Sequence, residues 1–270
     1  MIPWADNFSY QYYRTILQTI NENFQVRLIA EAPQFLSQIN GANQRQILLL
    51  RHDIDFDLES AERMAEVEHE MGISSCYMIM TTCPFYDIRE HAAKLKQIQQ
   101  LGHGIGLHID FQYVERYETS ENEATGHHWV VSAIERHAQQ LETVIGSPVR
   151  SVSYHRPAIR FLRGPLFIAE RVNAYADDLM QWYLSDSKGQ WREGDPLTAL
   201  RHPRHSLLQL LIHPIWWGEE HRTARDRLQS FFERKTRGLS SEQIQTFDQI
   251  LANHVSIRRS GLPTQIQSGA

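Results

Sequence analysis

The chain has 270 residues, 41% of them hydrophobic and 22% charged, and a formal net charge of -5. This composition is that of a globular protein with a sizeable core, and the acidic balance, with no basic run, argues against nucleic acid as a partner. There is no basic segment followed by an apolar one at the start and no apolar run long enough to cross a bilayer. We therefore expect no transmembrane segment and a cytoplasmic location. The two cysteines, Cys76 and Cys83, are expected to stay reduced.

Helical and extended patterns alternate along the first half of the chain. Apolar residues at helical spacing open it, and farther along Asp57 is a suitable N-cap and Gly72 a suitable stop for a helix. The predicted elements are a helix at 8–22, a short strand or extended segment at 24–29, a strand at 47–54, a helix at 58–71, a strand at 75–80, a helix at 87–101, a strand at 103–108, a helix at 124–145 and a strand at 149–154.

The second half has weaker patterns. They predict a helix at 163–171, short strands at 173–176 and 181–185, a loop at 186–191, a buried strand at 207–212 and a charged helical segment at 219–254. Alternating strands and helices predict a single α/β domain over residues 1–270 with a parallel sheet, closed or nearly closed. A helical lead-in (1–45) precedes the sheet, and a C-terminal helical segment and tail (219–270) follow it.

The segment around which the chain is organised is the strand at 47–54 with the residues that end it. Four consecutive apolar residues, 47–50, predict a strand buried on both faces, as in a parallel sheet. Asp53 and Asp55 are one residue apart, so in an extended strand their side chains point the same way. Two carboxylates at the end of a buried strand must be solvated, paired or bound to a metal, because burying them bare is costly.

Ionisable side chains also end three other predicted strands. The full set is Asp53 with Asp55, His108, His155 with Arg156, and His213. Parallel strands deliver their C-terminal ends to one face, so we expect these groups to meet. One Asp and two His suit zinc or another first-row divalent metal with an open position for water. A free carboxylate beside the metal and a His across the site then predict metal-assisted hydrolysis.

The order of these motifs resembles that of the polysaccharide deacetylases, carbohydrate esterase family 4. In that family the motifs supply a base Asp paired with a metal-binding Asp, metal-binding His, an Arg and Pro beside the base, an Asp and Trp at the pocket wall, and a Leu-x-x-His strand end. The similar segments here are His52-Asp53-Ile54-Asp55, Gly102 to His108, Arg156-Pro157, Asp186 with Trp191, and Leu210-Leu211-Ile212-His213. The resemblance implies a distorted (β/α) barrel of about seven parallel strands.

The resemblance also implies a metal-ligand set. Asp55 and His108 match the metal-binding Asp and the first His. The family's second His falls on Gln112, and an amide is a poor ligand for zinc. We therefore predict His155 as the third ligand, with Asp110 or Gln112 as alternatives. The expected metal is Zn2+, with Co2+, Mn2+ and Ni2+ left open.

The catalytic roles follow from the same resemblance. Asp53 is predicted as the base, steadied by Arg156, although the assignment of base and ligand between Asp53 and Asp55 stays open. His213 is predicted as the general acid, and Asp186 is placed with the catalytic residues. The implied reaction removes an acetyl or formyl group from an amino sugar or sugar precursor.

Three tryptophans are predicted to bind the substrate. They are Trp191, Trp216 and Trp217, and core packing is the alternative for the last two. Three other functions are weighed against the deacetylase. They are a catalytically silent carbohydrate-binding relative, a hydrolase of other non-peptide C–N bonds, and a scaffold in a polysaccharide-assembly complex. The sequence does not name the sugar or the oligomeric state, and a homo-oligomer is left open.

Overall fold

The computed structural model describes residues 7–37, 39, 45–118 and 128–256. Contacts divide the chain into two compact units, Met1–Ala224 and Arg225–Ala270. The candidate site lies in the first unit. Over the described residues, no helix combines the length and the apolar character that crossing a membrane requires.

The first unit is built on one sheet. In chain order its strands are β1 (Phe24–Val26), β2 (Gln46–Ile54), β3 (Cys76–Ile79), β4 (Gly104–Ile109), β5 (Ser151–Tyr154), β6 (Phe167–Ile168), β7 (Arg171–Asn173), β8 (Tyr183–Ser185) and β9 (Leu207–Ile212). Their order in the sheet is β6-β7-β5-β4-β3-β2-β9-β8, with β1 pairing the start of β2. From β7 to β8 every pairing is parallel, and only β6 runs antiparallel. The prediction of about seven parallel strands is confirmed.

Side chains show that the sheet is curled. Arg51 on β2 donates to the hydroxyl of Tyr175, just after β7, at 2.9 Å, although β3, β4 and β5 lie between these strands in the sheet. Gln209 on β9 donates to the carbonyl of Ala174 at 2.8 Å. Strands that distant meet only if the sheet bends round on itself. The barrel is therefore distorted and incomplete: polar side chains bridge its interior where the described edge strands β6 and β8 share no ladder.

Helices cover the sheet between most of its strands. Their bounds are α1 (Tyr10–Asn23), α2 (Ala32–Phe35), α3 (Leu58–Glu70), α4 (Ala92–Gln100), α5 (Phe111–Tyr117), α6 (His128–Ile145), α7 (Pro196–Arg201), α8 (Ala224–Thr236) and α9 (Ser241–Ser256). The predicted start and stop of α3 are confirmed, because the Asp57 carboxylate accepts the amide of Ser60 and Gly72 has a positive φ of 69°. The second unit contains α9 and nearly all of α8, with Phe231 and Phe232 packed against Phe247.

One predicted element is wrong, one is shifted and one helix was not predicted. The strand predicted at 173–176 is shifted, since β7 ends at Asn173. The helix predicted at 163–171 is wrong: this stretch holds β6 and a turn in which Ala169 and Glu170 have positive φ. The short helix α5 was not predicted; its N-cap is Asp110, which was considered only as an alternative metal ligand. The first residues of the helix predicted at 124–145 lie outside the described residues, and α6 begins at His128.

The outer face of β2 carries a buried polar cluster around Glu68 of α3. His52 Nε2 lies 2.6 Å from Glu68 Oε1, and the Tyr77 hydroxyl donates to Oε2 at 2.9 Å. Tyr13 donates to the same carboxylate, and His103 Nδ1 lies 3.5 Å away. His52 therefore faces away from the inner face that carries Asp53, and its contact with Glu68 links α3 to the sheet.

Candidate metal and catalytic site

The predicted residues come together because five parallel strands end at the same face. Asp55 directly follows β2, His108 lies next to the last residue of β4, and His155 directly follows β5. Asp186 follows β8 and His213 follows β9 in the same way. A buried strand holds the backbone at or immediately before each position, so the side chains are presented from a rigid support.

Asp55, His108 and His155 form the group that suits a metal ion. One ligand atom from each lies within 4.8 Å of the others. His108 Nε2 is 3.2 Å and His155 Nδ1 3.3 Å from Asp55 Oδ1. Two ligand atoms on one tetrahedral zinc ion lie roughly 3.3 Å apart. The residues present thus fit a divalent metal in donor type and spacing, and they are the predicted ligand set.

The charge balance of this group keeps Asp55 in its ligand form. Burial acts to raise the pKa of Asp55, but the neighbouring rings of His155 and His108 outweigh that effect. The pKa of Asp55 is held well below its usual range. An ionised carboxylate is what a divalent cation requires.

The alternative third ligands lie elsewhere. Asp110 Oδ1 accepts the backbone amides of Gln112 and Tyr113 and so caps α5. The side chain of Gln112 is exposed. Neither belongs to the ligand group found among the described residues, so the geometry favours His155.

The Asp53 carboxylate is paired with a buried cation on its own strand, Arg51. Arg51 Nε donates to Asp53 Oδ1 at 2.8 Å and Arg51 Nη2 to Oδ2 at 2.7 Å, and Arg51 is fully buried. Burial acts to raise the pKa of Asp53, but the charge of Arg51 outweighs it and lowers the pKa. Asp53 Oδ1 is 3.8 Å from Nδ1 of His108, the ring nitrogen opposite the one that faces Asp55. Both oxygens of Asp53 thus accept from Arg51, and the role of Asp53 as the base stays a prediction.

Arg156 lies near a different carboxylate, that of Asp110. Its Nη2 lies 3.8 Å from Asp110 Oδ2, while the cation that holds Asp53 is Arg51. Arg156 has a positive φ of 43° immediately before Pro157, a conformation that is costly for a residue with a Cβ. That turn directs the chain away from β5 right after His155. The role predicted for Arg156 beside the base stays a prediction.

His213 and Asp186 form a closely coupled pair. Asp186 Oδ1 lies 2.7 Å from His213 Nδ1, and the carboxylate also accepts the backbone amide of His213 and, at 2.9 Å, the indole N–H of Trp217. Burial acts to lower the pKa of His213, but the hydrogen bond and charge of Asp186 raise it to about 9. The Nε2 of His213 points toward the ligand group, 4.0 Å from Asp55 Oδ2. His213 is thus held as a proton donor facing Asp55.

The three predicted sugar-binding tryptophans are core residues. Trp217 is 2% exposed and packs against Phe8 and Tyr13. Trp191 and Trp216 are each 6% exposed. Stacking on a sugar requires an open ring face, so the prediction of a substrate platform is not supported. Trp217 instead acts through its hydrogen bond to Asp186.

Sequence reasoning missed the residues that support the site from behind. They are Arg51, Ser153, Tyr175 and Gln209, all buried. Arg51 carried a visible signal, because a cation two residues before Asp53 on one strand must share its face. Ser153 and Gln209 lie on strands adjacent to those of His108 and Arg51 but far away in the chain, and only the curl of the sheet brings Tyr175 close.

Comparisons with known proteins give likenesses of fold. No protein-family model matches the chain, and no curated protein does either. Similar solved structures include the deacetylase PplD of Streptococcus pyogenes (11% identity, 82% of this chain and 86% of that one, TM-score 0.42). The peptidoglycan deacetylase PdaC of Bacillus subtilis has 12% identity over 81% of this chain and 98% of that one, with a TM-score of 0.41.

A third similar structure is BA3943 of Bacillus anthracis, described as a CE4 family pseudoenzyme. The identity is 12%, the TM-score is 0.40, and the match covers 71% of this chain. The matched part spans 61% of that protein's length. At these identities and TM-scores the likenesses assign no activity to this chain, and its fold class is established by the strand order and contacts given above.

Proposed function

We propose that this protein is a metal-dependent hydrolase that removes an acetyl or formyl group from the nitrogen of an amino sugar. The observation that carries the proposal is one juxtaposition. Zinc prefers ligand groups such as the one formed by Asp55, His108 and His155. The Nε2 of His213 faces this group and lies 4.0 Å from Asp55 Oδ2. The amino-sugar substrate is proposed from the motif resemblance.

Asp55, His108 and His155 would hold the metal. A divalent metal bound there supplies Lewis acidity, which polarises an amide carbonyl and lowers the pKa of water toward neutral. The buried strand ends keep the three ligand atoms in place, so little rearrangement accompanies binding.

His213 is proposed as the general acid. Its Nδ1 is held by Asp186, so the Nε2 proton is the one free to move toward a departing amine. Asp186 is itself fixed by Trp217 and by the His213 amide, and this fixes the plane of the imidazole ring. An amine is a poor leaving group until it is protonated, so this proton is needed at the step that breaks the C–N bond.

One observation favours a second candidate, a carbohydrate-binding protein without catalysis. Both oxygens of Asp53 accept hydrogen bonds from the buried Arg51, and Asp53 Oδ1 lies 3.8 Å from the His108 nitrogen that faces away from Asp55. If hydrolysis requires a separate carboxylate base, the site lacks it at the predicted position. The two candidates differ in turnover, and the experiment below separates them.

The test uses the full chain stripped of metal with a chelator and reloaded with Zn2+, Co2+, Mn2+ or Ni2+. Acetate and formate release is measured on N-acylated amino sugars and their oligomers, with a cyclic amide as the rival substrate. His213→Gln should lower kcat by about 10²–10⁴-fold, the usual contribution of a general acid. His202→Gln, a change at an exposed histidine, serves as the matched control.

Three outcomes are distinguishable. Metal-dependent acyl release that His213→Gln abolishes supports the hydrolase. If only the cyclic amide is hydrolysed, the protein is a hydrolase of other C–N bonds and not an amino-sugar deacylase. A metal-loaded protein that binds sugar without turnover establishes the silent candidate.

A further inference from the structure

We propose that Ser153 is a positioning residue for the metal ligand His108: the Ser153 hydroxyl holds the ring and partners the Nδ1 proton when Nε2 binds the metal. The inference rests on the proposed function in one respect, since it requires a divalent metal at Asp55, His108 and His155. It concerns a residue behind the ligand group that plays no part in the chemistry proposed above.

The sheet register places the two side chains together. His108 on β4 pairs with Ser153 on β5, the adjacent parallel strand. Ser153 Oγ lies 2.6 Å from His108 Nδ1, and the two residues are 0% and 1% exposed. In-register neighbours on one face of a sheet lie side by side, so this contact is built into the backbone pairing.

The orientation of the ring defines two proton arrangements. Nε2 faces Asp55 Oδ1 at 3.2 Å, and Nδ1 faces Ser153. A nitrogen that binds a metal offers its lone pair, so a metal on Nε2 requires the ring proton on Nδ1. Without a metal, a proton on Nε2 is well placed to donate to Asp55, and Nδ1 is then an acceptor.

A hydroxyl is the side-chain group that serves both arrangements. Ser153 can donate to an unprotonated Nδ1 and can accept from a protonated one by rotating its O–H. The other polar atom near Nδ1, Asp53 Oδ1, is 3.8 Å away and already accepts from Arg51. Without the hydroxyl, a buried Nδ1–H loses its nearest partner in the arrangement that metal binding requires, and that loss weakens the metal site.

The experiment measures Zn2+ affinity of the full chain by competition with a chromophoric chelator. Ser153→Ala should bind Zn2+ about 10–100-fold more weakly, the usual effect of removing such a partner. Ser153→Thr, which keeps the hydroxyl, should recover most of the affinity. The matched control is Ser151→Ala: Ser151 is buried on the same strand and face but contacts Cys76 rather than a ligand, at 3.5 Å.

A purely structural role is separated by two further readouts. Urea denaturation of the metal-free proteins should give similar stabilities for Ser153→Ala and Ser151→Ala. Nitrogen-15 NMR of the zinc-loaded wild type should show His108 protonated on Nδ1. Equal Zn2+ affinities for wild type and Ser153→Ala, or a proton on Nε2 in the loaded protein, would overturn the inference.

Failure of this inference differs from failure of the proposed function. If Zn2+ affinity depends on Ser153 but no acyl group is released, the positioning role stands and the hydrolase is rejected. If acyl release requires Zn2+ but wild type and Ser153→Ala bind Zn2+ equally well, the hydrolase stands and the positioning role is rejected. A wild-type protein that binds no divalent metal contradicts both.

Discussion

Arg51 donates a hydrogen bond to each carboxylate oxygen of Asp53, at 2.8 and 2.7 Å. The two residues are two positions apart on the same strand, β2. Arg51 also donates to Gln209 on the adjacent strand β9 and to Tyr175 just after β7, both at 2.9 Å, so the guanidinium links β2 to a distant part of the curled sheet. A charge pair this deeply buried is tolerated because each charge has its opposite and its hydrogen bonds.

Removing one member of this pair should cost much more than removing both. Arg51→Met leaves Asp53 buried without its counter-ion and should lower the free energy of unfolding by about 3–5 kcal/mol. The double variant Arg51→Met/Asp53→Leu replaces two charges with apolar side chains and should cost clearly less than Arg51→Met alone. Urea denaturation of the metal-free proteins measures both. Additive costs would contradict the coupling.

The same double variant tests the role of Asp53 in turnover. Because Asp53 lies on the Nδ1 side of His108, we expect Arg51→Met/Asp53→Leu to keep kcat within about tenfold of wild type once loaded with metal. Loss of a general base costs about 10²–10⁴-fold. A loss of that size, in a variant that remains folded and binds Zn2+ normally, would restore Asp53 as the base.

Asp186→Asn should impair catalysis while leaving metal binding intact. The amide cannot hold a charged imidazole as a carboxylate does, so His213 loses its fixed orientation and its stabilised proton. We expect kcat to fall by about 10²-fold or more with little change in KM. Zn2+ affinity, measured by chelator competition, should match wild type. A change confined to KM would show that Asp186 acts in substrate binding.

Gly106 on β4 should not tolerate a methyl group. A Cβ there would lie 2.3 Å from Met78 Sδ and 2.6 Å from Ser151 Oγ, inside the curled sheet. Gly106→Ala should therefore lower the free energy of unfolding by about 1–3 kcal/mol through overpacking. Gly104→Ala is the matched control, because its Cβ would meet neighbours at an ordinary 3.7 Å. Equal effects of the two changes in thermal denaturation would contradict this view of the interior.

Glu68 should make stability depend on pH in acid. Burial acts to raise the pKa of Glu68, but His52, by charge and hydrogen bond, lowers it from 4.5 to about 2. A carboxyl group whose folded pKa is depressed contributes its full stability above the unfolded pKa and loses it as pH falls toward the folded one. The stability difference between wild type and Glu68→Gln should hold steady above about pH 5 and shrink by about 3 kcal/mol toward pH 2.

The control for that measurement is Glu70→Gln on the same helix. The Glu70 side chain is 53% exposed and pairs with Arg14 at the surface, so its replacement should change acid stability little. A wild-type minus Glu68→Gln difference that does not vary with pH would show that the Glu68 charge contributes nothing to folding.

The sequence could predict which polar residues end the buried strands and therefore meet in the site. The apolar run before Asp55 indicated a buried strand, and buried strands in a parallel sheet carry their polar ends to one face. That logic, with the family resemblance, was enough to select His108, His155 and His213, which the structure brings together around Asp55. Elements without strong periodicity, such as α5 and β6, were the ones missed or misassigned.

What the sequence determined by itself is the alternation of strands and helices and the chemical character of each strand end, because both depend on local periodicity and residue type. Which groups share a hydrogen bond was decided by the curl and register of the sheet. Tertiary structure brought Tyr175 to Arg51, and it turned His108 Nδ1 toward Ser153 and His108 Nε2 toward Asp55. It also buried the tryptophans predicted to meet substrate. These outcomes depend on distances of a few ångströms between strands far apart in the chain, and local sequence carries no measure of such distances.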